Sequence, residues 1–120
     1  MRAQILVIDD SLDDVAVYAG ALKECNVIMV TDTQAVNDLI SSVDLVISDY
    51  WMPYKKFEAI RRQCDANGTP LILVSGDADI VSAGVHPHSL LKPVRVTSLR
   101  TLVSELLATG GVATRARTLN

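Results

Sequence analysis

Five short apolar stretches, at residues 4–8, 27–30, 43–48, 71–74 and 89–91, recur along this chain with helical patterns between them. No other feature constrains the fold as strongly. Runs such as Ile5-Leu6-Val7-Ile8 and Leu71-Ile72-Leu73-Val74 are apolar at every position, which suits strands covered on both faces by helices. The intervening segments read with a 3.6-residue period. Leu12, Val15, Ala16, Ala19 and Leu22 share one helical face, Ala35, Val36, Leu39 and Ile40 a second, and Phe57, Ile60 and Cys64 a third, from about Lys55 onward. The fourth helix, from Asp77 to Ala83, is short, because Gly84 breaks it. The fifth is the clearest: Leu99, Leu102, Val103, Leu106 and Leu107, with Thr97 or Ser98 as cap. Thr31, Asp32 or Thr33 is available to cap the second. Alternation of this kind predicts right-handed crossovers and a doubly wound five-stranded parallel sheet with helices on both faces.

The chain has 120 residues, enough for one domain with a sizeable core, which the pattern places at residues 1–108. Residues 109–120 have no periodicity and read as a flexible tail. No apolar run approaches the ~18 residues of a membrane span, and Met1-Arg2-Ala3-Gln4 leads straight into the first strand with no leader pattern, so the expected setting is cytoplasmic. The net charge of −3 gives no basic field for nucleic acid. Cys25 and Cys64 are isolated and read as reduced helix-end residues. His86-Pro87-His88 has no ligand spacing with other residues and reads as a solvated loop, while Lys55-Lys56 and Arg61-Arg62 read as the exposed face of the third helix.

In a doubly wound sheet, chemistry gathers at the carboxyl ends of the strands. Here the first strand ends in Asp9-Asp10, the third in Asp49, the fourth in Ser75-Gly76 and the fifth in Lys92-Pro93. Three carboxylates on one rim repel one another and call for positive charge. Lys92 supplies one such charge, and an all-oxygen site favours Mg²⁺ for the rest. With the Ser75 hydroxyl and free amides near Gly76, the rim suits a tetrahedral anion held against a metal, a setting for phosphoryl transfer. Singly, each element has a plainer use: Asp9-Asp10 as a helix cap, Ser75 as the cap of the fourth helix, Lys92-Pro93 as a loop.

Together, Asp9-Asp10, Asp49 followed by Met52-Pro53, Ser75-Gly76 and Lys92-Pro93 resemble the receiver domain of two-component response regulators, in the family's order and over residues 3–108. The resemblance implies a flavodoxin-like sheet of order 2-1-3-4-5. It implies Asp49 as phosphoryl acceptor, taking its group from a phosphohistidine of a histidine kinase or histidine phosphotransfer protein. It further implies Mg²⁺ held by Asp10, Asp49 and the backbone carbonyl of Trp51, with Asp9 acting through a metal-bound water. Ser75 and Lys92 would hold phosphoryl oxygens, helped by the amides of Gly76 and Trp51, and the Lys92–Pro93 peptide would be cis. Such a protein catalyses only its own phosphorylation and dephosphorylation. Its output would be contact with a downstream protein target, a homodimer being left open.

Three departures accompany the resemblance. Ser89 stands where the family usually has an aromatic switch residue. The fourth helix is shortened. Phe57 stands where the loop after the acceptor usually has glycine, so this loop is expected to take another path. The first two features favour an alternative, a receiver-like interaction module that works without phosphorylation. A Mg²⁺-dependent aspartyl phosphatase fits less well, because those enzymes carry Asp-x-Asp after the first strand and this chain has adjacent aspartates.

Overall fold

The apolar stretches form β1 (Gln4–Ile8), β2 (Asn26–Val30), β3 (Leu45–Asp49), β4 (Leu71–Ser75) and β5 (Ser89–Leu91), joined in one parallel sheet of order β2-β1-β3-β4-β5. This computed structural model describes residues 2–30, 36–50 and 54–111. The helices are α1 (Leu12–Ala21), α2 (Val36–Ile40), α3 (Tyr54–Asn67), α4 (Ala78–Ser82) and α5 (Val96–Leu106). The expected order and alternation are therefore the observed ones.

Successive residues of the buried strands feed two separate cores. Ile5, Val7, Leu45, Ile47, Ile72 and Val74 face α1 and α5, where they meet Val15, Tyr18, Leu22, Leu99, Val103 and Leu106. Leu6, Ile8, Val46, Leu71 and Leu73 face α2 and α3, where they meet Val36, Ile40, Phe57, Ile60 and Cys64. Ile80 of α4 packs at the margin of this second core, and α4 itself buries no residue. Burying a side chain the size of Phe57 contributes roughly 1.5–3 kcal/mol.

Several local expectations change. On α1, Ala16 and Ala19 are exposed, and Tyr18 takes the buried face with Val15 and Leu22. The side chain of Leu12 lies outside the described set. The α1 cap is Ser11, whose hydroxyl accepts from Asp14 N–H at 3.3 Å, so the acidic pair is not the cap. Ser75 is not the cap of α4 either. Asp77 caps it, accepting from Asp79 N–H at 2.9 Å, and Gly84 follows in the left-handed region at φ 69°. The start of α5 precedes both expected caps: Arg95 occupies the N-cap and no side chain caps it. Beyond α5 the chain continues as a π-helical turn, Leu107–Gly111. The expected α2 caps Thr31, Asp32 and Thr33, together with Ala35 and tail residues 112–120, lie outside the described residues.

Phe57 stands inside α3, fully buried, and no residue other than glycine has positive φ among the described residues. The chain thus meets the departure at Phe57 by running helix from Tyr54 rather than by a turn at residue 57. Both cysteines are free; burial pushes the Cys64 thiol up to about 12 and raises that of Cys25 as well. Among the described residues no helix is long and apolar enough to cross a membrane.

Candidate functional site

The strand ends bring most of the expected residues onto one rim. Asp49 is the last residue of β3 and Asp9 the first beyond β1, and both are buried; Asp10, one residue further, is exposed. One carboxylate oxygen from each of the three lies within 4.8 Å of the others. Asp9 is fixed from several sides. Its Oδ1 accepts from Ser11 N–H at 2.9 Å, and its Oδ2 accepts from Lys92 Nζ at 3.2 Å and from the Tyr18 hydroxyl at 3.5 Å.

Lys92 follows β5 and reaches the centre of this group. Its Nζ lies 3.3 Å from Asp49 Oδ2 and, closest of all, 2.7 Å from Asp14 Oδ2. The Lys92 backbone N–H donates to Ser75 O at 2.8 Å, which ties the lysine to the end of β4, and the Lys92–Pro93 peptide is cis. Ser75 is fully buried, and its hydroxyl accepts from Asp77 N–H at 3.0 Å. In register, Asp49 lies opposite Val74, so Ser75 stands one residue beyond it on the neighbouring strand; Gly76 follows and is exposed. Trp51, Met52 and Pro53, the other residues named from the sequence, lie outside the described residues.

The electrostatics follow from this crowding. Burial raises the Asp9 carboxyl above its ordinary value; the Ser11 N–H and Lys92 oppose the rise and the charge of Asp49 adds to it. For Lys92 burial opposes the charged form, but the hydrogen bond to Asp14 and the fields of Asp49 and Asp9 outweigh it and raise its value. The Tyr18 hydroxyl is raised well beyond its usual range, by burial first and then by Asp9, Asp14 and Asp49.

Two members of this group came from outside the strand ends: Asp14 and Tyr18, one turn apart on α1. Their available signal was the i, i+4 spacing, which puts both on one helix face directly after the acidic pair. The region of residues 84–88 also differs from expectation. His86 is half-buried rather than solvated: its Nε2–H donates to Leu71 O at 2.7 Å, and its ring stands edge-on to Phe57 at 6.2 Å. Ser89, at the usual aromatic place, donates its hydroxyl to His86 O at 2.6 Å. Arg61 pairs along the surface of α3 with Glu58 and Asp65, as an exposed face would.

The donor set is chemically suited to a hard divalent cation, since it offers carboxylate oxygens only. Asp10 is open to solvent, whereas both oxygens of Asp9 already accept hydrogen bonds from the protein.

No protein-family model matches the chain, and no curated protein matches it in sequence. Solved structures do match it. A signal receiver domain from Vibrio parahaemolyticus superposes with a TM-score of 0.79 at 20% identity, over 97% of this chain and 98% of that one. A response regulator from Thermotoga maritima gives 0.77 at 23%, over 91% and 100%. The signal receiver domain of an HD domain-containing protein from Pseudomonas fluorescens gives 0.76 at 22%, over 93% and 99%. The chain has the flavodoxin-like fold of receiver domains, along nearly its whole length and nearly theirs.

Proposed function

We propose that this chain is a phospho-acceptor receiver: Asp49 takes a phosphoryl group from a phosphohistidine in a Mg²⁺-dependent reaction. The observation that carries the reading is Lys92 Nζ at 3.3 Å from the buried Asp49 carboxylate, beside Asp9 and Asp10, on a receiver fold. Asp49 is mounted on the middle strand of the sheet, so its carboxylate is held for in-line attack rather than left to wander.

In the reaction, an Asp49 oxygen bonds to phosphorus while the phosphorus–nitrogen bond of the donor breaks. The departing imidazole keeps the electron pair and takes up a proton, and Asp49 becomes an acyl phosphate. Lys92 and the Ser75 hydroxyl hold phosphoryl oxygens, and the amides of Gly76 and Trp51 add donors for the same group. Asp10, Asp49 and the carbonyl of Trp51 would hold Mg²⁺, with Asp9 behind them through water. A bound cation would supply neutralisation of the charge gathered between carboxylates and phosphoryl group.

The donor is a histidine kinase or histidine phosphotransfer protein in the cytoplasm. Output is contact with a downstream protein, driven by the nearly two negative charges that phosphorylation adds. The protein then catalyses only its own phosphorylation and dephosphorylation.

The test uses phosphoramidate, a small donor with a phosphorus–nitrogen bond, and Mg²⁺, followed by intact mass. Wild type should gain the mass of one phosphoryl group, Asp49→Asn should gain none, and chelation of Mg²⁺ should bring wild type to background. Label retained by Asp49→Asn would overturn the assignment. A wild type that is never labelled, yet holds a partner protein, would favour the phosphorylation-independent module.

A further inference from the structure

Lys92 meets carboxylates from three elements, and its shortest contact is to the one that the strand ends do not supply. Asp14 stands in the first turn of α1, its Oδ2 2.7 Å from Lys92 Nζ, against 3.2 Å to Asp9 and 3.3 Å to Asp49. The side chains of Asp9 and Asp49 are 1% and 3% exposed, that of Lys92 18%, and that of Asp14 35%. Asp14 therefore sits on the solvent side of the lysine, and the other two on the inner side.

Resting on the phospho-acceptor reading, the geometry points to Asp14 as a positioning residue: a second seat for the Lys92 ammonium, used when the inner carboxylates are needed by a cation. A divalent cation and the ammonium both require Asp49, and two cations at one carboxylate repel. With Asp14 present, Lys92 can keep its closest contact while it gives up the inner ones. Once Asp49 carries a phosphoryl group the balance reverses, because Asp14 then competes with that group for the same ammonium. One side chain thus favours the metal and opposes the phosphoryl group.

This two-way signature separates the role from a structural one. Mg²⁺ is titrated first, and beryllofluoride, a phosphoryl mimic, is titrated at saturating Mg²⁺, with emission of Trp51, the only tryptophan, as readout. Asp14→Asn should weaken Mg²⁺ binding about threefold and tighten beryllofluoride about fivefold, the range for a partly exposed ion pair. Asp13→Asn removes the same charge from the exposed neighbouring position and should leave both constants near wild type. Asp14→Glu, which keeps the seat, should also stay near wild type. Shifts of the same sign for both ligands, or the same shifts in Asp13→Asn, would overturn the role of Asp14 while leaving the phospho-acceptor reading standing. A wild type that binds neither ligand overturns that reading and this role together.

Discussion

The Tyr18 hydroxyl has to share Asp9 Oδ2 with Lys92, at 3.5 Å against 3.2 Å, in a place where the ring itself is fully buried. Ring and hydroxyl therefore do different work, and substitutions can part them. Tyr18→Phe keeps the packing and removes one weak donor; it should cost about 0.5–1.5 kcal/mol, the usual value of a buried hydrogen bond. Tyr18→Ala also opens a cavity in the core against α5 and should cost about 3–5 kcal/mol. Urea unfolding of the two variants checks this, and equal losses would show that the hydroxyl carries the larger share. At this scale the sequence was legible wherever a polar residue ended an apolar run: Asp9, Asp49, Ser75 and Lys92 all stand on the rim. Asp14 and Tyr18 were hidden because their partners are tertiary. The Asp14–Lys92 contact spans 78 positions of sequence, and the i, i+4 spacing marks the face that Asp14 shares with Tyr18 but not the partner it meets.

Among the elements, the segment between α4 and β5 carries a pH dependence. The His86 ring is held neutral, first by burial and also by the nearby charge of His88; its bond to Leu71 O and Asp65 act the other way, and Arg61 with burial. Its value in the folded protein lies below the ordinary 6.5. Above 6.5 the ring is neutral in both folded and unfolded chains, and its contribution is whole. As pH falls below 6.5 the unfolded chain takes the proton first, so stability declines until the folded ring titrates as well. Asp9 cannot mimic this, since a carboxyl raised in the folded state makes acid stabilising. Unfolding free energies at about pH 7.5 and about pH 5.5 should therefore differ more in wild type than in His86→Gln; identical differences would exclude His86 as the source. The strands were legible to within two residues at either end because each is a short, mainly apolar block, buried along nearly its whole length in β1, β3 and β4. Helix faces were less so. On α1 small alanines at helical spacing mimicked a buried stripe, whereas the core there is filled by Tyr18, which that stripe leaves out.

For the molecule as a whole, the rim concentrates negative charge that folding has to accommodate. Asp9 and Asp49 are buried beside each other, and Lys92 balances them only in part. A ligand that binds the folded chain alone stabilises it by mass action, by about 1.4 kcal/mol at roughly tenfold its dissociation constant. Mg²⁺ at that level should raise the melting temperature by about 5 °C. Asp10→Asn, which removes the solvent-facing carboxylate, should lose most of the shift. Sodium chloride of matched ionic strength should not reproduce it, and if it does, the effect is screening rather than a site. The overall topology was readable because strand order and polar strand ends agree. The short α4 was readable too, since Gly84 fixes its end at φ 69°.

The two cores share their walls: Leu6 and Ile8 face one while Ile5 and Val7 face the other, and β3 divides in the same way at Val46 and Ile47. Such strands have no spare position. Adding or deleting one residue within β1 or β3 would exchange the lining of both cores and displace the carboxylate that follows. The loops around the rim carry no such constraint. Over generations of such chains, changes of length should accumulate in the loops, while the central strands keep a constant residue count even where their side chains are freely traded among valine, isoleucine and leucine.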